Sequence, residues 1–149
     1  MTDTLRCIFL PVDGKTLILP YTSIVEVVPL ENLKPVEGRE AYVVGELEWQ
    51  EIKFPVMSFA KLDNEPASPL NQKAHIAILN LVIETKVFDF MGMILYGFPT
   101  MKTIRPSDIK ELSACTEPYL LMEVAARNQH AYIPNLEWIQ QKLASAVTS

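Results

Sequence analysis

Two histidines, His75 and His130, stand 55 positions apart in this chain of 149 residues, and two cysteines, Cys7 and Cys115, stand 108 apart. Neither pair has the close spacing that lets side chains converge on a zinc ion. Both cysteines have apolar neighbours and read as reduced, small hydrophobes, which favours the cytosol. Ser58, Ser107 and Ser113 lack the Gly-x-Ser-x-Gly setting of a nucleophile elbow. The glycines, Gly14, Gly38, Gly45, Gly92 and Gly97, are scattered, so no Gly-rich loop offers its backbone N–H groups to a phosphate. Glu46 and Glu48 share one face of a strand at i, i+2, an arrangement that suits acid–base work but is more commonly a hydrated face. These patterns lead us to expect no catalytic residue, metal or cofactor, and a protein that binds rather than reacts.

The elements that would position a binding surface are short strands. Leu5 to Val12 and Lys15 to Leu19 flank Asp13-Gly14, a pair that supplies the positive φ values a two-residue hairpin turn needs. Tyr21 to Leu30 carries a β-branched run that Pro29 ends, and Tyr42 to Trp49 and Ile52 to Met57 read as two more strands. The segment from Asp63 to Pro69 is polar and twice interrupted by proline, the composition of a linker. Beyond it the pattern resumes, with strands at His75 to Ile83, Phe88 to Leu95, Tyr119 to Ala126 and Gln129 to Ile133, and a Pro-bounded segment near Pro99 to Ile104. Asn135 is a good N-cap for a closing amphipathic helix with Leu136, Ile139 and Leu143 on one face, and Trp138 beside that stripe seals the helix onto the strands. Leu17-Ile18-Leu19 aligns with Met93-Ile94-Leu95 at an offset of 76, and Phe54-Pro55 with Ile133-Pro134 at 79. Such a doubled pattern predicts two similar units: one over about 1–62, a linker over about 63–72, a second over about 73–134 and the helix over about 135–145.

Apolar residues make up 49% and charged residues 21%, the balance of a folded domain. Thirteen basic against eighteen acidic residues leave a net charge of −5 with no basic run, which argues against nucleic acid and anionic membranes as partners. The polar start, Met1 to Arg6, shows no export signal. Phe90 to Met101, the longest uncharged run at 12 residues, is interrupted by Gly92, Gly97 and Pro99 and falls short of a membrane span. Tyr21, Tyr42, Trp49 and Phe59 are the apolar candidates for a contact surface.

In order and spacing these signals resemble the CheW-like chemotaxis coupling proteins over nearly the whole chain. The resemblance rests on the hairpin Ile8 to Pro20 followed by Ile24-Val25-Glu26-Val27, on Gly45 with Pro55-Val56 ten positions on, on Phe90-Met91-Gly92-Met93-Ile94-Leu95, and on Tyr119 to Pro134 leading into the final helix. It implies an all-β fold of two SH3-like five-stranded barrels on a shared core with a short C-terminal helix. It also implies a cytoplasmic, non-catalytic adaptor between the tip of a methyl-accepting chemoreceptor and the regulatory domain of a chemotaxis-type histidine kinase. By carry-over, Ile24, Glu26, Gln50 and His75 would form the receptor groove, and Tyr42 and Val43 would contact the kinase. Where the family usually has Asn-Leu-Arg-Gly this chain has Glu48-Trp49-Gln50-Glu51, and a customary Asp is Tyr96. These departures, and Trp49 itself, resemble the accessory branch of Pil-Chp systems, which control twitching by type IV pili. A stand-alone SH3- or OB-type barrel that binds a small ligand or another protein shares the short strands and exposed aromatics. The glutamates around Trp49, with only Lys53 nearby, argue against a nucleic-acid groove in such a barrel.

Overall fold

The computed structural model describes residues 4–36, 40–63, 68–70 and 73–148. Most of the expected linker, 64–67 and 71–72, lies outside the described residues, as does Gly38. Twelve strands are described: β1 (Leu5–Pro11), β2 (Thr16–Pro20), β3 (Ile24–Pro29), β4 (Lys34–Pro35), β5 (Val43–Trp49), β6 (Ile52–Met57), β7 (His75–Asn80), β8 (Phe90–Leu95), β9 (Thr100–Ile104), β10 (Ile109–Ala114), β11 (Leu120–Ala126) and β12 (Gln129–Pro134). A short helix α1 (Phe59–Leu62) follows β6, and α2 (Leu136–Thr148) follows β12.

The fold is the expected mostly-β one, two sheets with a C-terminal helix, with six strands in each sheet where five were expected. The first sheet runs β10-β11-β12-β2-β1-β9 and the second β4-β5-β6-β8-β7-β3. Advancing every strand of the first by six, or stepping back by six where that runs past twelve, gives the second, so the doubled pattern of the sequence recurs as doubled topology. The sheets, however, do not divide at the linker. Each repeat donates its leading hairpin, β1–β2 or β7–β8, to the last four strands of the other repeat. The exchange is sealed by two parallel joins, β2 with β12 and β6 with β8, among otherwise antiparallel neighbours. A separate unit of about 60 residues would bury too thin a core, and exchange gives both sheets a common one.

Both donated hairpins are buried on both faces, which is why they read as continuous apolar runs rather than alternating ones. On β1, Ile8 and Leu10 face the large core shared with the second sheet, while Cys7 and Phe9 face a smaller core with Ile18, Ile104, Val124 and Ala131. On the other hairpin Ile76, Ala77, Ile78, Leu79, Met91 and Met93 are all fully buried. The turn of β1–β2 is as expected: Asp13 and Gly14 take φ of 43° and 83°, and the Val12 amide donates to the Lys15 carbonyl at 2.9 Å. Its tip also anchors both flanks of the linker, with the Lys15 ammonium on the Asp63 carboxylate and the Asp13 carboxylate accepting from the amide and hydroxyl of Ser68 at 2.6 and 2.7 Å. Tyr119 donates its hydroxyl to Asp63 as well.

The closing helix starts where its N-cap predicts, the Asn135 side-chain oxygen accepting from the Trp138 amide at 3.1 Å. Leu136, Ile139 and Leu143 are buried, and Trp138 lies against Tyr119, with ring centroids 5.9 Å apart. Gln140 is buried too. Its side-chain oxygen accepts from the amides of Val82 and Ile83 at 2.9 and 3.2 Å, and its amide nitrogen donates to the Ile83 carbonyl. One side chain thus satisfies three backbone groups of the loop between β7 and β8. Gln140→Met keeps the bulk and removes all three bonds, and we expect it to cost about 2–4 kcal/mol, since the loop groups it pairs are only partly buried and each such bond contributes about 0.5–1.5 kcal/mol. Urea unfolding followed by circular dichroism measures the loss.

Candidate partner-binding groove

Strand β3 is an edge strand, and a bulge between Ile24 and Glu26 changes which residues face outward. Glu26 is exposed, while Ile24 is half-buried against the large core. Three strands separate β3 from β5 in the sheet order, yet the Trp49 indole at the end of β5 donates to the Glu26 carboxylate at 2.5 Å. The second sheet therefore curls until its two sides meet. Phe90 supports the indole edge-to-face at 5.6 Å and rests in turn on Phe54 at 5.8 Å. The next residue, Gln50, begins the two-residue turn joining β5 to β6, so Ile24, Glu26 and Gln50 belong to one region of the surface.

His75 does not join them. It pairs with Pro29, three residues further along β3 than Glu26, its ring lies 4.3 Å from that of Phe98, and its Nδ1 lies 2.6 Å from the Lys73 carbonyl oxygen. Phe98 is 67% exposed, so this pair forms a second, aromatic patch. Tyr42 and Val43, expected as kinase contacts, lie in the core. Both are 8% exposed, and the Tyr42 hydroxyl donates to the Lys142 carbonyl of α2 at 3.3 Å. Val43 alternates inward with Gly45 and Leu47 along β5. Burial, then the Glu40 charge, raises the Tyr42 phenol above its ordinary pKa. Tyr96, which stands where the family has an acid, donates to the Ser68 carbonyl at 2.9 Å instead of offering a charge.

The exposed groups around Trp49 are Glu26, Glu48, Gln50 and Glu51, with Lys53 opposite Glu48 in the hairpin register. The surface is acidic and carries an aromatic edge. Gln50 and Glu51 hold φ of 51° and 67°, a type I′ turn built from residues that disfavour it. Arg127 and Asn128, at 50° and 65°, make the equivalent turn between β11 and β12. A glycine at the second position, as in the family's Asn-Leu-Arg-Gly, would adopt that geometry without strain.

Ser113, Glu123 and His130 meet on the outer face of the first sheet, but in an order that cannot activate the serine. Glu123 stands between the other two, accepting from the Ser113 hydroxyl at 2.8 Å through one oxygen and contacting His130 Nε2 through the other. A hydrolytic triad needs the histidine in the middle. Among the described residues no group of three or more His, Cys, Asp or Glu is placed to hold a metal ion, and no helix is long and apolar enough to cross a membrane.

Residues 6–141 match the family model described as CheW-like domain. The chain belongs to this family. The fold agrees: the crystal structure of the scaffolding protein TtCheW from Thermoanaerobacter tengcongensis superposes with a TM-score of 0.76, over 93% of this chain and 89% of that one, at 12% identity. No curated protein sequence matches. Within the CheW-like frame, the Trp49–Glu26 bond is the contact that sequence reasoning missed. The two residues are 23 positions apart on strands that neighbour other strands, and nothing in their local spacing announces it.

Two outcomes follow from this geometry. Glu51→Gly should stabilise the protein by about 0.5–1 kcal/mol, the left-handed penalty of about 1–2 kcal/mol less the extra chain entropy of glycine, and differential scanning calorimetry reads the gain. The hydrogen bonds from His130 and then Ser113 hold the Glu123 carboxyl below its ordinary value of 4.5. Their stabilisation is present above that value and lost as pH falls through the depressed one. In His130→Ala the Glu123 midpoint, followed by carbon-detected NMR, should move upward.

Proposed function

We propose that this CheW-like protein is a non-catalytic cytoplasmic adaptor that holds the tip of a methyl-accepting chemoreceptor and the regulatory domain of a chemotaxis-type histidine kinase at once. The observation that carries the reading is the family match across residues 6–141, nearly the whole chain. The receptor contact is the surface of Ile24, Glu26 and Gln50 organised by Trp49, with His75 and Phe98 as a flanking patch. Adaptors transmit state only through contacts whose energy differs between the partner's states, and an edge strand beside a tight turn is a place where such differences can be read. Since Tyr42 and Val43 are buried, the kinase contact is assigned to no particular side chain. The acidic turn and Trp49 support the branch that serves type IV pili, with twitching motility as the output.

A receptor tip that is itself acidic should bind poorly here, because the cation usual at position 50 is a neutral amide flanked by Glu48 and Glu51. Arg presents a planar fork to a carboxylate, and Gln offers only a neutral hydrogen bond. The double substitution Gln50→Arg with Glu51→Gly should therefore strengthen receptor binding by about 1–2 kcal/mol, more so at low salt. Kinase-domain affinity, expected near micromolar or about −8 kcal/mol, should not change. Isothermal titration calorimetry of both variants against each partner tests the reading. Tight, salt-insensitive receptor binding by the wild type with no gain in the variant contradicts the electrostatic part, and no binding to either partner contradicts the adaptor.

A further inference from the structure

The fold gives the first sheet a basic end. Lys102 of β9, Arg105 and Lys110 of β10 lie within one stretch of chain, and the turn between β11 and β12 brings Arg127 to it. The Arg127 Nε lies 3.6 Å from the Asp108 carboxylate, and its amide donates to the Asp108 carbonyl at 3.0 Å. The Lys102 ammonium donates to the side-chain oxygen of Gln129, two residues beyond Arg127, at 2.7 Å. Asp108 and Glu111 are the carboxylates of the same stretch. Arg105, Lys110 and Arg127 are exposed, and among the described residues no carboxylate forms an ion pair with Arg105 or Lys110. The Trp49 surface of the second sheet is the converse. Glu26, Glu48 and Glu51 are exposed there with Lys53 as the cation beside them, and among the described residues Glu48 and Glu51 are in no ion pair. The Trp49 indole takes up one oxygen of Glu26 and leaves the other to accept from an incoming donor.

We infer that the basic end of one copy of this chain docks on the Trp49 surface of a second copy, head to tail. An arginine suits that surface in two ways, since its guanidinium donates parallel N–H groups to a carboxylate and stacks on an aromatic ring, and Glu26 and Trp49 offer both side by side. Pairing of like ends would set cations on cations or carboxylates on carboxylates, so charge disfavours a twofold contact through either surface. Because the two surfaces lie in different sheets, one copy can be engaged at both, and the contact extends to a chain or closes into a ring. A single exposed ion pair contributes little, so the contact is weak and salt-sensitive. The inference goes beyond the adaptor reading and does not rest on it. Where both hold, a second copy and a receptor tip compete for Trp49.

Sedimentation velocity of the full chain alone is the test, with no partner protein present. At about 20 mM salt the weight-average sedimentation coefficient should rise between about 10 μM and about 1 mM protein, and at about 0.5 M salt it should stay at the monomer value. Arg105→Glu with Lys110→Glu makes both surfaces acidic, and Glu48→Lys with Glu51→Lys makes both basic, so each variant alone should stay monomeric at low salt. An equimolar mixture of the two should assemble again, because every basic end or surface then meets an acidic one. Circular dichroism matching the wild type, together with recovery on mixing, shows that both variants are folded. A wild type that stays monomeric at low salt, assembly that survives about 0.5 M salt, assembly of either variant alone, or folded variants that fail to assemble on mixing would overturn the inference. None of these outcomes bears on whether the chain holds a receptor and a kinase.

Discussion

The exchange of leading hairpins between the two repeats is the constraint on which the rest of the structure depends. Because β1–β2 belongs to a sheet whose other strands come from the second repeat, and β7–β8 to a sheet completed by the first, neither sheet can form without the other half of the chain. The burial pattern has the same origin. A hairpin wedged between two layers has no solvent face, so Ile8 and Leu10 serve the shared core while Cys7 and Phe9 serve the smaller one. A close approach is also required at the parallel join of β6 with β8: a Cβ on Gly92 would come within 2.8 Å of Val56, its partner on β6. The tip of β1–β2 then fastens the linker through Asp13 and Lys15, so the element that is exchanged also holds the connection between the repeats.

The candidate groove inherits its geometry from the same curl. Glu26 and Trp49 meet because the second sheet, anchored by the donated β7–β8 hairpin, bends until its edge strand reaches the end of β5. The strained turn at Gln50 and Glu51 sits immediately beyond that contact. A surface made of an edge strand, a tight turn and a supported indole is fixed by many distant contacts. It therefore presents a partner with a preformed shape at little ordering cost, the condition under which a few charges decide affinity and choice of partner.

Much of this was legible in the sequence wherever the signal is local. Asp13-Gly14 announced its turn, Asn135 its helix, and the apolar triplets Leu17-Ile18-Leu19 and Met93-Ile94-Leu95 the repeat, whose strands β2 and β8 do occupy equivalent places. The strands read up to Trp49 and from Ile52, and up to Ala126 and from Gln129, leave two-residue gaps that the structure closes as tight turns although neither contains a glycine. What stayed hidden is non-local. Which sheet a hairpin joins depends on pairings across the linker, and no residue of β1 or β2 encodes it alone. Strand β10 escaped notice because it is an exposed edge with no apolar alternation, and Gln140 because a polar residue on a helix gives no sign that it will be buried. Tyr42 looked like surface because Tyr is common at interfaces, whereas it is buried with its hydroxyl on the Lys142 carbonyl of α2, and strand alternation turns Val43 inward. Among the groove residues, Ile24, Glu26 and Gln50 fall together, and His75 falls at the other end of its strand pair.

The account's central claim is that one small chain holds two partners at once. Sedimentation velocity on a mixture of the protein, a receptor-tip fragment and a kinase regulatory domain measures this most directly. Using the Gln50→Arg, Glu51→Gly variant to strengthen the receptor contact, the account predicts a boundary with the mass of all three components. Two binary boundaries with no larger species, showing that the partners compete for one surface, would contradict it.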